Sequence, residues 1–356
     1  MRLRRARALW IGAIVSLLVP AVGWAAEGRT PVFAPGTVIS APGKYILTRD
    51  LNGTGATPVI SISASNVELD LNGFTVSNSG GGTGILVSDP VEVLIRNGNI
   101  QSVAVGVDVV SSGAERAVIE DLRVSFATTV GVRVANINNV VVRRVMVYRS
   151  FGDGIRIQGS SVTSGQIVDC QVDLAGGQAI AVVGTSSFAV VGNRVQGSTL
   201  EGIRIDGCRG CRVEDNTVVS ASGGGGGIYL TAVRGGSVSR NSATECGASG
   251  IRLGAGSSDL QIRGNVANTN SAHGLLVEGL RFTIEGNVLN DNSGVGLRLA
   301  AGGGNSGIGR NFARGNGGAG GGPCAGPPAL FPPDSCNDGV ANFTFGDNLI
   351  PGPALF

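Results

Sequence analysis

Five arginines recur at one place in a repeated phrase of this 356-residue chain: Arg133, Arg156, Arg204, Arg252 and Arg298. Each stands two residues after a glycine, in a column that reads Leu86, Asp108, Arg133, Arg156, Ala181, Arg204, Tyr229, Arg252, Leu276 and Arg298. A guanidinium is planar and always charged, and it grips a carboxylate through two parallel hydrogen bonds. The column therefore suits an anionic ligand. Arg204, Tyr229 and Arg252 occupy successive repeats, and Gln158, Asp206, Thr231 and Glu278 follow two residues further along their repeats. Asp153, Glu201 and His273, the single histidine, come just before the same phrases. The candidate binding set is Arg204, Asp206, Tyr229, Arg252 and Glu278. Tyr229 and His273 are the candidate proton carriers for a metal-free elimination, in which Arg204 or Arg252 would neutralise a uronate carboxylate. The same residues also read as solvated arginines balanced by carboxylates, each pair contributing less than about 1 kcal/mol.

The elements that hold the column come from the phrase itself, Gly-apolar-x-apolar. It opens at Gly84, Gly106, Gly131, Gly154, Gly202, Gly227, Gly250, Gly274 and Gly296, with Ala179 once in the glycine place, at steps of 22 to 25 residues. Alternation with period two buries one face of a short strand. The inner columns run from Ile85 to Leu297 and from Val87 to Leu299, and the arginine column lies between them, facing out. A second strand follows eleven to sixteen residues after each glycine, with Asn at 193, 216, 241, 265, 287 and 311. Stacked Asn side chains tolerate left-handed turns and bond from repeat to repeat, a structural role.

A leucine-rich repeat has a similar period but needs a helical segment on its far side. Here Val and Ile fill the apolar places, and the intervening stretches are rich in Gly, Ser, Thr and Asn without a helical stripe. The spacing predicts an all-β, right-handed parallel β-helix of about ten coils stacked at about 4.8 Å. The five glycines from Gly223 to Gly227 lead into the Tyr229 strand and permit close approach of a ligand.

Four of the 27 basic residues fall in the first 26 positions, leaving 23 against 25 acidic ones. A near-neutral chain gives no footprint for nucleic acid. Positions 1–26 carry Arg2, Arg4, Arg5 and Arg7, an apolar run from Ala8 to Val22, and a small-residue end at Ala25-Ala26, which predicts a cleaved secretory signal and no membrane span thereafter. Residues 27–60 are expected to form a cap and first irregular coil, 61–314 the β-helix, and 315–356 a Gly/Pro-rich C-terminal cap. The protein is expected in the periplasm or outside the cell.

In an oxidising compartment Cys324 and Cys336 are expected to close the proline-rich tail loop with a disulfide. Cys208-x-x-Cys211 lacks the βαβ context of redox motifs and the second ligand pair of zinc sites, so a local disulfide is the expected reading. Cys170 shares the Asn column, and Cys246 lies past it about 14 Å away along the axis, so both read as buried thiols.

Gly43-Lys44-Tyr45-Ile46-Leu47-Thr48-Arg49-Asp50-Leu51, with the run from Ile60 through Asn66-Val67-Glu68-Leu69-Asp70-Leu71-Asn72-Gly73 to Val76, resembles the opening of secreted bacterial right-handed β-helix proteins of the pectin-lyase-like superfamily. The resemblance covers residues 37 to 312. It implies the β-helix fold and a range of activities that includes polysaccharide lyases, polygalacturonases, mannuronan C5-epimerases and nitrous-oxide-reductase maturation proteins. The epimerase signature Asp-Pro-His-Asp is answered only by Asp89-Pro90-Val91-Glu92. Asp153 and His273 match pieces of the polygalacturonase pattern but fall five coils apart, about 24 Å, too far to share one glycosidic bond. No carboxylate cluster suited to calcium is apparent, and two methionines with one histidine make a poor copper donor set, so no metal or cofactor is expected. The expected function is binding of an acidic polysaccharide, with lyase- or epimerase-like modification; the alternative is a non-catalytic structural or surface-interaction protein of the envelope.

Overall fold

A computed structural model describes residues 28–300, 306–317, 335–337 and 344–345, the last two segments as backbone only. The signal segment 1–26, most of the tail and the Cys324–Cys336 pairing lie outside the described residues; of the tail, Ser335–Asn337 and Thr344–Phe345 pair in parallel with Leu297–Leu299 and with Gly307 and Ile308. The described residues contain strands, turns and bends, and no α-helix. Among the described residues no helix is long and apolar enough to cross a membrane.

The chain winds as a parallel β-solenoid of about eleven turns, slightly more than the ten repeats counted from the phrase. The excess lies at the N-terminal end, where Thr37–Ile39, Gly43–Leu47 and Leu51–Gly53 already stack in parallel register on the next coil. Three strands per turn build three parallel sheets. The first carries the glycine phrases, as in Ile180–Val183, Ile203–Asp206, Ile228–Thr231 and Ile251–Leu253. The second includes Arg209–Glu214 and Arg234–Ser239, and the third Thr217–Val219 and Ser242–Thr244.

Register follows the sequence columns. Ile180, Ile203, Ile228 and Ile251 are successive partners, as are Ala181, Arg204, Tyr229 and Arg252 beside them. The inner columns lie in one core that runs the length of the rod. Each buried aliphatic side chain there contributes on the order of 2 kcal/mol. The glycine opening each phrase is explained by contact. A Cβ at Gly202 would lie 2.3 Å from Val218 and 2.8 Å from the carbonyl of Gly227 in the next coil. Coils pack there against the third sheet with no room for a side chain.

The Asn column is a buried ladder from Asn193 to Asn311. From Asn216 on, each Oδ1 accepts two bonds from the Asn one coil earlier, its backbone N–H and its Nδ2, at 2.8 to 3.0 Å. Each Nδ2 also donates to a main-chain carbonyl, as from Asn241 to Val213. The left-handed conformation falls on the preceding residue, Gly192, Asp215, Arg240, Gly264, Gly286 or Arg310, and not on Asn as the sequence suggested. Asn is selected by its paired donor and acceptor, since no other uncharged side chain of that length supplies both. A second ladder, Asn270, Asn292 and Asn316, stands at the next turn. Cys170 and Cys246 head the two ladders, each donating its backbone N–H to the first Asn.

Candidate functional site

Outward residues of the first sheet meet the turns leading to the second sheet along a groove of about 850 Å³. Tyr229, Arg252 and Glu278 form one wall. Arg234, Asp259 and Arg281 form the other, with Ala255 to Ser258 as the floor between them.

Tyr229 is half-buried between two guanidiniums. Arg204 Cζ lies 5.6 Å from the ring centroid and Arg252 Cζ 5.0 Å, on opposite neighbouring coils. The ring thus spaces the two cations and lines the groove. Arg204 Nη2 donates to Asp206 at 3.0 Å, and Arg252 clamps Glu278 with two bonds of 3.0 and 2.9 Å. That hydrogen-bonded carboxylate holds the Arg252 guanidinium charged even more firmly than usual. Arg252 Nη1 also reaches the Gly224 carbonyl at 3.4 Å. The Gly225 N–H donates to buried Glu201, whose other oxygen accepts from Gln178. The glycine run is therefore pinned beside the arginine and gives it one more acceptor.

On the far wall Arg281 clamps Asp259 with two bonds of 2.7 Å, and Ser258 adds a third. Those bonds pull the Asp259 carboxyl down to about 2. Arg234 is exposed and has no carboxylate within 4 Å among the described residues. Three guanidiniums of the groove thus face two carboxylates.

The structure gathers Tyr229, Arg252 and Glu278 in the groove and sets Arg204 and Asp206 beside it. His273 is not gathered with them: its Nδ1 accepts from Val295 N–H at 3.1 Å, and its Nε2 lies 3.2 Å from Arg298 Nη1, both on the following coil. Arg234 and Asp259 were missed because they stand at the start of second-sheet strands, and Arg281 because it lies in the turn before one; the connections from the first sheet vary in length, beyond the reach of the period-two argument. The column of positive-φ residues is their nearest sequence signal, since Asp259 and Arg281 both adopt that conformation. Cys208 and Cys211 form a disulfide with Cα atoms 6.0 Å apart, as expected from their spacing.

A family model described as "Periplasmic copper-binding protein (NosD)" matches residues 137–317, just over half of the sequence. The chain belongs to this family. A second model, "Right handed beta helix region", matches residues 51–195 of the same NosD-family chain. Among solved structures, it resembles the Azotobacter vinelandii mannuronan C-5 epimerase AlgE6 A-module at 16% identity and TM-score 0.54, covering 92% of each chain. It resembles the periplasmic alginate epimerase AlgG at 13% identity and TM-score 0.61, covering 90% of this chain and 77% of the other. The catalytic unit of a GH87 α-1,3-glucanase from Streptomyces thermodiastaticus gives 15% identity and TM-score 0.59, with 90% and 64% covered. At such identities the likeness is one of fold: a right-handed parallel β-helix of the pectin-lyase-like kind. No curated protein matches the sequence.

The family description names copper, which takes thiolate, thioether and imidazole ligands. Among the described residues no three His, Cys, Asp or Glu side chains come together to hold a metal ion. Two cysteines are spent in the disulfide, and Cys170 and Cys246 are buried on separate coils. Met146 stands on the outer face of the third sheet with no cysteine or histidine paired to it in register. The donor set of the described residues does not fit copper.

Proposed function

We propose that this NosD-family protein acts outside the cytoplasm as a binder of acidic polysaccharide, taking a polyuronate chain along the groove between Tyr229 and Arg281. The observation that carries the reading is the charge imbalance of the groove, in which Arg234 offers a guanidinium with no carboxylate within 4 Å among the described residues. A uronate carboxylate completes that pairing. Glu278 and Asp259, held in place by their arginines, remain acceptors for sugar hydroxyls. The signal-like leader, the word "periplasmic" in the family description and the Cys208–Cys211 disulfide support the location. The polysaccharide-acting enzymes among the structural neighbours support the ligand class.

Elimination or epimerisation of such a polymer needs a neutralised carboxylate and a group that moves a proton. Arg234 and Arg252 serve the first need and the Tyr229 hydroxyl the second. His273, tied to the coil beyond, supplies nothing in this arrangement, and the reading rests on binding.

The test is calorimetric titration with alginate and pectate oligomers against a neutral glucan of equal length. Saturable binding of the uronates is expected, weakened about tenfold or more by Arg234→Ala and screened by salt. Equal affinity for the neutral glucan, or an unchanged Arg234→Ala variant, overturns the reading. Ultraviolet absorbance of an unsaturated uronate, followed on the same samples, reports elimination, and Tyr229→Phe then abolishes it.

A further inference from the structure

Where the chain leaves the third sheet, each coil passes through one residue with positive φ. The column reads Ser102, Phe126, Arg149, Leu174, Gly197, Ser220, Glu245, Thr269, Asp291 and Gly315. Small or polar residues suit a left-handed turn on the surface, and bulky apolar ones do not. Phe126 and Leu174 break the rule at φ 55° and 57° and are also 41% and 46% exposed. Backbone preference does not account for them there. Strain of this kind points to a use outside the fold.

Their surroundings extend the exception. Phe151, two residues past Arg149, is 70% exposed, and Met146 is exposed on the adjoining strand. Tyr148 meets Phe126 edge-on with centroids 5.9 Å apart and carries Arg149 over its ring at 5.3 Å. Arg123 and Arg194 share the outward register of Met146 on the coils either side of the Met146–Gln171 pair. Arg123, Arg149 and Arg194 are exposed, and none has a carboxylate within 4 Å among the described residues. Asp173, opposite Tyr148 in register, is a carboxylate of this face and accepts from Gln171.

We infer that this ridge is a docking surface for an anionic bilayer. Phe126, Phe151, Leu174 and Met146 project from turns and strand and do not line the Tyr229–Arg281 groove, which suits insertion between lipid headgroups. The three unpaired arginines supply the complementary charge for anionic headgroups. A rod held by this ridge keeps the polyuronate groove, on a different turn of the coil, clear of the surface.

The test is co-sedimentation of the purified protein with vesicles of phosphatidylcholine alone and of phosphatidylcholine mixed with phosphatidylglycerol. Binding is expected only to the mixed vesicles. The Phe126→Ser, Phe151→Ser double variant is expected to lose at least tenfold in affinity while keeping its circular dichroism and its polyuronate affinity. If that variant misfolds, Arg123→Gln with Arg149→Gln reads the charge half of the surface with the same expected loss. No sedimentation of the parent protein, equal binding to neutral vesicles, or undiminished binding by the variants overturns the inference. So does a parent dimer in light scattering that the Phe126→Ser, Phe151→Ser variant converts to monomer, which would make the ridge a contact between copies. Loss of vesicle binding with intact polyuronate binding separates this surface from the groove.

Discussion

The Asp259–Arg281 pair sets how the groove responds to acid. Arg281 and Ser258 hold the Asp259 carboxyl down to about 2, so the folded form keeps its charge where an unfolded chain, near 3.8, would take up a proton. The pair's contribution is present above about pH 4 and is lost as the pH falls through about 2. Carboxyl-detected NMR is expected to show Asp259 titrating near that lower value, and Arg281→Ala is expected to return it toward the ordinary range. Much of this wall was hidden from the sequence. Arg204, Tyr229 and Arg252 follow from alternation alone, because strands fix which face each residue takes. Arg234 opens a second-sheet strand and Arg281 sits in the turn before one, each reached through a connection whose length differs from coil to coil, so no period places either side chain.

At the scale of the ladder and strand, the column of Asn residues was legible and its reason was not. Repetition shows that a side chain is wanted. Only the hydrogen bonds show that Asn serves as donor and acceptor together while its predecessor takes the left-handed turn. Asn241→Ala removes the acceptor for both the N–H and the Nδ2 of Asn216, and it leaves the Val213 carbonyl and Asn265 Oδ1 short of donors. With about 1 to 3 kcal/mol for each buried group left unmet, partial relaxation leaves an expected loss of about 2 to 5 kcal/mol in urea denaturation. Asn139→Ala, at an exposed bond to Ser164, is expected to change stability by less than about 0.5 kcal/mol. The second ladder escaped notice because three asparagines headed by a cysteine make a short run in sequence.

Across the whole molecule one core serves every coil, so the two free thiols report on the state of the rod. Burial raises the Cys170 thiol to about 12 and the Cys246 thiol to about 11. Native protein is expected to resist iodoacetamide at pH 8.5, and denatured protein is expected to take up two labels among the described residues, as counted by mass spectrometry. A thiol that ionises near 9 in the unfolded chain and higher in the folded one favours unfolding as the pH rises. The alkaline limit of stability should therefore begin at about pH 9.

Every amide of the Asn ladder points the same way, from donor on one coil to acceptor on the next. A coil spliced in between Asn193 and Asn311 would meet on either side the same two faces that its template meets. Unequal recombination of the gene could thus lengthen or shorten the rod by whole units of 22 to 25 codons and conserve every bond of the ladder. Length, in such a molecule, is heritable in steps.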